Sequence, residues 1–442
     1  MNPYLKAALV RSGLTQAALT SAKRLVFGAE FAGLKSSVPA EQLPNSELEI
    51  RYLPTSPLVS FTGGALHKPL ERFDFAREWN NRGYGAIGKP SESAWDLSGW
   101  FVAPPGAEVL ASIFHRVSGE KICDYAFIYE HDRASILWFN RKVGPIDGYD
   151  WSIVENFYSD YRAAELPCFP VLREIPSGFE SAVTMRIDCD EAVASGRQLF
   201  EVYATAGIPF GLAVKTQQSL TQLDRCLMSD VIQSGGTVCS HSHTHAPNWG
   251  GSRDAAIQEI RVSHEVLKSL NVPGINYDYV VSPFHQNPTY AVEGLRDAGI
   301  RGFVAGIICN DPEYLMARGG QVPNVNGIIS HSQQCMFHGD SVHSQLESLD
   351  IYEQAFRQAK ETSTFFGYLD HPFSDYNYGW RSEAARLETH ARYLAFLGKE
   401  EHCWFASLEE AMSFQDMKSS VFVQDCGKQV SISLESQARF EG

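Results

Sequence analysis

Between residues 180 and 416 the chain repeats one pattern, a short apolar run followed by a stretch of helical length. The runs at 182–188, 209–214, 236–241, 278–284, 300–305, 364–370 and 404–406 read as strands. The stretches at 191–206, 222–234, 253–270, 289–298, 348–361, 381–397 and 408–415 read as helices. Strands alternating with helices of roughly 10–18 residues imply a parallel sheet. About seven such repeats suffice to curl the sheet into a barrel, whose functional groups gather at the C-terminal ends of the strands. The expected fold class is therefore α/β, a distorted (β/α)7-type barrel preceded by an N-terminal α+β domain. An irregular stretch at 309–347 interrupts the series.

The expected strand ends carry the chemistry. One run leads into Cys239-Ser240-His241-Ser242-His243-Thr244-His245. In extended chain its three histidines share a face, and in a helical turn His241 and His245 share one. Neutral imidazole is a common ligand for zinc-like metals. The run at 182–188 ends in Asp188-Cys189-Asp190, which places two carboxylates on one face. Further strand ends carry Pro283-Phe284-His285 and Asp370-His371.

This order and spacing resemble the polysaccharide deacetylases of the NodB-homology type, carbohydrate esterase family 4 and its relatives, over residues 180–416. The resemblance implies roles. Asp188 maps onto the family's base, and Asp190, His241 and His245 onto its metal ligands. His371 maps onto the general acid, and a backbone N–H of Phe284 or His285 onto the oxyanion donor. His285 is also a candidate for substrate contact. The family's third motif carries an arginine that orients the base. Val281 stands in its place here, and Arg186, two residues before Asp188 on the same strand face, is the candidate substitute. The implied cofactor is one divalent ion, zinc first, with cobalt and nickel as alternatives. The implied substrate is an N-acetylated sugar or glycan. Three histidines of the irregular stretch, His331, His338 and His343, are placed in a loop over the barrel mouth, where one can touch substrate.

Four segments are expected. They are a basic amphipathic helical segment at 1–35, an N-terminal α+β accessory domain at 36–175, the NodB-like barrel at 176–418 and a short β tail at 419–442. The first segment carries Lys6, Arg11, Lys23, Arg24 and Lys35 against Glu30 alone. Two readings stay open for it, peripheral contact with anionic lipid or a helical pair packed on the protein. Aromatic residues are dense at 79–161, where core filling is favoured over sugar stacking.

Composition narrows the partners. A net charge of −15 argues against nucleic acid, whose binding rests on clustered cations. The 9 cysteines are scattered without a C-x-x-C, which argues against a disulfide framework. Apolar pieces near the N-terminus are too short for the core of a secretory leader, and no run reaches the roughly 18 apolar residues of a membrane span. These features lead to an expected cytoplasmic location, associated with the inner face of the membrane if the basic segment meets lipid. The activity expected is metal-dependent removal of N-acetyl groups from a carbohydrate, in surface polysaccharide biosynthesis of the O-antigen type. Hydrolysis of a non-sugar amide or an O-acetyl ester on the same barrel, and glycan binding without catalysis, are the alternatives.

Overall fold

A computed structural model describes residues 3–14, 22–27, 30–31, 34–35, 43–59, 66–70, 99–131, 134–141, 147–306, 318–333, 335–339, 342, 348–372, 377–425 and 430–434. The described chain forms two compact units, one of residues from Ala8 to Arg173 together with the C-terminal hairpin, the other of Glu174–Ser419 together with the first residues up to Ala7. His343, Trp79 and Trp95 lie outside the described residues.

The N-terminal unit is built on one sheet. Helix α1 (Pro3–Arg11) is followed by strands β1 (Lys23–Phe27), β2 (Glu30–Phe31) and β3 (Leu34–Lys35). Then come β4 (Leu48–Tyr52), β5 (His67–Pro69), β6 (Glu108–His115), β7 (Lys121–His131), β8 (Ala134–Phe139) and helix α2 (Gly148–Ser159). The six-stranded sheet has the order β1-β8-β7-β6-β4-β5. Phe101, Phe127 and Trp138 stack on one another with ring centroids 5.4 to 5.8 Å apart, so these aromatics fill a core.

Of the helical expectation for 1–35, the described residues show a helix over Pro3–Arg11, and residues 15–21 lie outside them. Residues 23–27 instead form a strand, parallel to β8, with Leu25, Val26 and Phe27 opposite Leu137, Trp138 and Phe139. A β-branched and aromatic run satisfies its backbone on a sheet edge and packs its side chains there, which outweighs a short helical pattern. Arg11 and Lys23 are each only 2% exposed, and Lys23 Nζ donates to Cys168 Sγ at 3.0 Å. Two of the cations counted toward a lipid-facing surface are thus inside the protein. Among the described residues no helix is long and apolar enough to cross a membrane.

Among the described residues the second unit has ten strands in one sheet. They are β9 (Ser181–Cys189), β10 (Gly211–Val214), β11 (Thr237–Ser240), β12 (Tyr279–Val281), β13 (Gly302–Gly306), β14 (Gly320–Gln321), β15 (Ile329–Gln333), β16 (Cys335–Met336), β17 (Phe366–Asp370) and β18 (Cys403–Phe405). The order is β14-β15-β13-β12-β11-β10-β9-β17-β16, with β18 also on β9. Every pairing is parallel except β14 with β15. The helices are α3 (Arg197–Ala206), α4 (Gln222–Gln233), α5 (Arg253–Ser269), α6 (Thr289–Asp297), α7 (Asp350–Glu361), α8 (Glu383–Leu397) and α9 (Leu408–Ser419). The architecture is mixed α/β with a curled sheet. Among the described residues the strand order runs from β14 to β16 without a pairing that closes the ring.

All nine residues of β9 are buried, as a central parallel strand covered on both faces requires. The irregular stretch supplies β14, β15 and β16, short strands that complete the sheet beyond β13 and β17. The C-terminal hairpin consists of β19 (Val421–Asp425) and β20 (Val430–Leu434).

Gly236 leads into β11, and a Cβ there would overlap the Phe210 carbonyl oxygen and stand 2.8 Å from Val231 Cγ1 and 2.9 Å from Val231 O. Gly236→Ala is expected to destabilise the protein by about 1–3 kcal/mol through overpacking. The shift is read from the urea midpoint, and an unchanged midpoint would contradict this packing.

Candidate metal centre

The parallel sheet brings three strand ends together. Asp188 and Cys189 close β9, and Asp190 follows them. His241 is the first residue beyond β11, and His371 the first beyond β17. Of the eight residues singled out in the sequence, Asp188, Asp190, His241, His245 and His371 converge.

Asp190 Oδ1 lies 3.3 Å from His241 Nε2 and 3.4 Å from His245 Nε2. The three ligand atoms all fall within 4.8 Å of one another. Asp190 Oδ1 is buried and makes no hydrogen bond of acceptable geometry. Two imidazole nitrogens and an unsatisfied carboxylate oxygen facing one point suit a divalent ion. A tetrahedral site with bonds of about 2.0–2.1 Å has ligand–ligand edges of about 3.4 Å, leaving further positions open for water and substrate. His241 Nδ1 stands 3.1 Å from the Val281 carbonyl on β12. A carbonyl only accepts, so Nδ1 carries a proton, and in the neutral ring the lone pair is then on Nε2.

The ligand loop is built against backbone preference. Ser242 and His245 both have left-handed φ, +62° and +59°. Such residues cost about 1–3 kcal/mol each. Ser242 Oγ accepts from His245 N at 3.0 Å, which closes the turn that aims His245 at His241. His243 points elsewhere, its Nδ1 3.1 Å from Thr216 Oγ1.

Asp188 is held differently. Arg186 Nε and Nη2 donate to its two oxygens at 2.6 and 3.1 Å, and Arg186 Nη1 also donates to Gln333 Oε1. Both Arg186 and Asp188 are buried. Burial alone would raise the Asp188 pKa, but the adjacent guanidinium more than offsets it and holds the carboxyl well below the usual carboxylate range. Asp190 is pushed up by burial and brought down to about 2 by the neighbouring His241, His245 and His371. Burial and the proximity of His241 lower His245 to about 3, which keeps it neutral as a ligand must be.

His371 Nε2 lies 3.7 Å from Asp190 Oδ2, and its ring stacks on Tyr378 at 3.9 Å. The adjacent Asp370 does not touch the ring. Asp370 Oδ1 accepts from the His371 backbone N–H at 2.8 Å, while Oδ2 faces His390 Nε2 at 2.9 Å and Arg386 Nη1 at 3.5 Å. Arg386 also donates to the His371 carbonyl at 2.5 Å, so both sides of this residue's backbone are clamped.

Other expected residues add no atom to the candidate ligand cluster of Asp190, His241 and His245. Phe284 packs its ring on His245 at 4.4 Å, touching a ligand directly. His285 is buried against Gly306, and its backbone N–H donates to Ser282 O at 3.4 Å within the turn. A buried ring offers little surface to a substrate. His331 and His338 are both buried, each 3% exposed. His331 lies within the sheet strand 329–333 and not in a loop, and His338 follows β16, where its backbone N–H donates to the Tyr352 hydroxyl at 3.1 Å. His331 packs on Phe365, just before β17 begins and so at the opposite end from the centre. Tyr378, Gln333, Arg386 and His390 were not anticipated. Each reaches the centre through a distant element, with no local spacing to mark it.

No family model matches the chain, and no curated protein matches it. Solved structures similar to it include an allantoinase, PuuE, with TM-score 0.43 and 10% identity, covering 55% of this chain and 93% of that one. A Mycobacterium smegmatis protein assigned to the polysaccharide deacetylases has TM-score 0.42 and 14% identity, covering 57% of this chain and 94% of that one. A family 4 acetyl xylan esterase from Clostridium thermocellum, in complex with a cobalt ion, has TM-score 0.35 and 12% identity, covering 53% and 91%.

Asp370→Asn tests the clamp beneath His371. Asp370 is fully buried, and removing its charge takes the charged acceptor from His390 and one of two carboxylates from Arg386, which keeps Glu383 at 2.7 Å. The expected cost at pH 7 is about 1–3 kcal/mol. Burial raises the Asp370 pKa, but His390 and Arg386 bring it below the ordinary value. The stabilisation is therefore present above the unfolded pKa of about 4 and is lost as pH falls toward the folded value. Urea denaturation of both proteins should show a gap at pH 7 that narrows below about pH 4.

Proposed function

We propose that the chain is a metal-dependent hydrolase that removes N-acetyl groups from a carbohydrate, on a distorted (β/α)7-type barrel. The observation that carries this reading is the convergence of Asp190, His241 and His245 beside a second, separately held carboxylate, Asp188. Asp190, His241 and His245 hold the ion, with zinc the first choice and cobalt or nickel alternatives. When bound, the ion polarises the acyl oxygen and acidifies water.

The chain's own residues supply the rest. Asp188 stays ionised through its Arg186 pair and takes the proton of the attacking water. Arg186 fixes the direction of that carboxylate. A backbone N–H of Phe284 or His285 is the proposed oxyanion donor. His371 Nε2 gives a proton to the departing amine. Its ring is kept in place by Tyr378 and its backbone by Asp370 and Arg386. The biological setting proposed is surface polysaccharide biosynthesis of the O-antigen type, on the cytoplasmic side of the membrane.

Metal content by plasma mass spectrometry and acetate release test the reading together. Wild type should carry about one divalent ion per chain, and His241→Ala and His245→Ala should lose it. Asp188→Asn should keep the ion yet release acetate about 10²–10⁴-fold more slowly. Faster release from O-acetylated than from N-acetylated sugars would move the assignment to an esterase. An absence of metal after reconstitution would end the hydrolase reading.

A further inference from the structure

The strained ligand loop rests on a residue that none of the motifs contains. Glu259 lies on α5, outside the cluster of ligand atoms. Its Oε2 accepts from His243 N at 2.9 Å and from Thr244 N at 2.8 Å, and its Oε1 accepts from Thr244 Oγ1 at 2.6 Å. One carboxylate thus takes three hydrogen bonds from two of the three residues between the ligands His241 and His245. Four residues along the same helix face, Ser263 Oγ meets Ser240 Oγ at 2.7 Å, and Ser240 Oγ accepts from Ser242 N at 3.1 Å. Helix α5 therefore braces the segment on both sides of the left-handed Ser242.

We propose that Glu259 is a positioning residue for the metal ligands, whose carboxylate holds residues 242–245 in the turn that brings His245 to His241. The inference rests on the metal reading above. The physical case is direct. The loop contains two non-glycine residues with left-handed φ, and such a conformation persists only where its surroundings over-determine it. Charge-assisted bonds to consecutive backbone N–H groups are strong enough to do so. Without them the loop relaxes, and His245 loses its fixed distance to Asp190 Oδ1, 3.4 Å in this structure. Glu259 carries no ligand atom itself, so its effect appears in the affinity of the centre and not in its stoichiometry.

The test measures zinc affinity by competition with a chromophoric chelator, on the full chain, for wild type, Glu259→Gln and Thr244→Val. The glutamine keeps one acceptor oxygen and turns an NH2 group toward donors. Zinc dissociation constants are expected to rise about 10–100-fold in Glu259→Gln, the usual effect of losing an outer partner of a ligand. Thr244→Val removes one bond of three and is expected to raise the constant about fivefold. Cobalt substitution gives a second readout. The visible ligand-field spectrum of Glu259→Gln should shift or weaken, while thermal unfolding of its metal-free form stays close to that of metal-free wild type. Should Glu259→Gln fail to fold, the Thr244→Val affinity and spectrum decide. Zinc on the wild type with unchanged affinity and spectrum in the folded variants overturns this proposal alone. A drop in metal-free stability as large as the drop with metal makes Glu259 merely structural and also overturns it. Absence of zinc on the wild type overturns both this proposal and the metal reading.

Discussion

A carboxylate cannot stay ionised inside a sheet without a partner, and strand β9 buries one. Its residues are covered on both faces and paired along both edges. Thr184, Arg186 and Asp188 are nevertheless polar. The cost of burying a charge is offset only where geometry is good and the remaining donors are satisfied. Arg186 meets that condition by spanning both oxygens of Asp188 and reaching Gln333 on the far side of the sheet order. Removing either ion would leave the other unpaired in the interior. The pair therefore fixes the end of β9, and with it Asp190, which stands one residue beyond the strand.

The other groups of the centre are fixed in a similar way, each by a neighbouring element. The tautomer of His241 is set by the carbonyl of Val281 on the adjacent strand. His245 is set by a turn closed through Ser242 and backed by Phe284. His371 is set through its own peptide groups, because Asp370 is tied to His390, whose Nδ1 meets the hydroxyl of Tyr203, itself 2.8 Å from that of Tyr368. A rigid sheet that aims short side chains from strand ends is a better support for a reacting geometry than a free loop would be. The loop strain at Ser242, His245 and Phe284 is local, and the packed strands beneath hold it in place.

Much of this was legible in the sequence because the signal is periodic and local. The expected strand at 182–188 is Ser181–Cys189, the expected helix at 222–234 is Gln222–Gln233, and that at 253–270 is Arg253–Ser269. Spacing of two along a strand placed Arg186 beside Asp188. Where the signal was short, it misled. Residues 23–27 have too few turns of pattern to distinguish helix from edge strand, and pairing with β8 decided it. The stretch at 309–347 lacked a period because β14 and β16 are only two residues each, so His331 and His338 read as loop histidines while packing made them interior. Tyr378, Arg386 and Glu259 stand far along the chain from the groups they hold. No local pattern marks a residue whose role exists only after folding.

The division of labour between Asp188 and Asp190 follows from hydrogen-bond accounting alone. Both are carboxylates at one strand end, separated by a single cysteine. Asp188 has donors from one guanidinium on each of its two oxygens. Asp190 has an oxygen with ring nitrogens before it and no well-formed hydrogen bond. A cation competes poorly for oxygens already held by a positive fork, and well for one that is buried and unsatisfied. The same contrast sets their chemistry. Asp188 is kept ionised over the whole physiological range by a neighbour that does not titrate. Asp190 depends on imidazoles for its low pKa, and these are the groups that would share an ion with it. The fork of Arg186 is thus what keeps the two acids from being interchangeable.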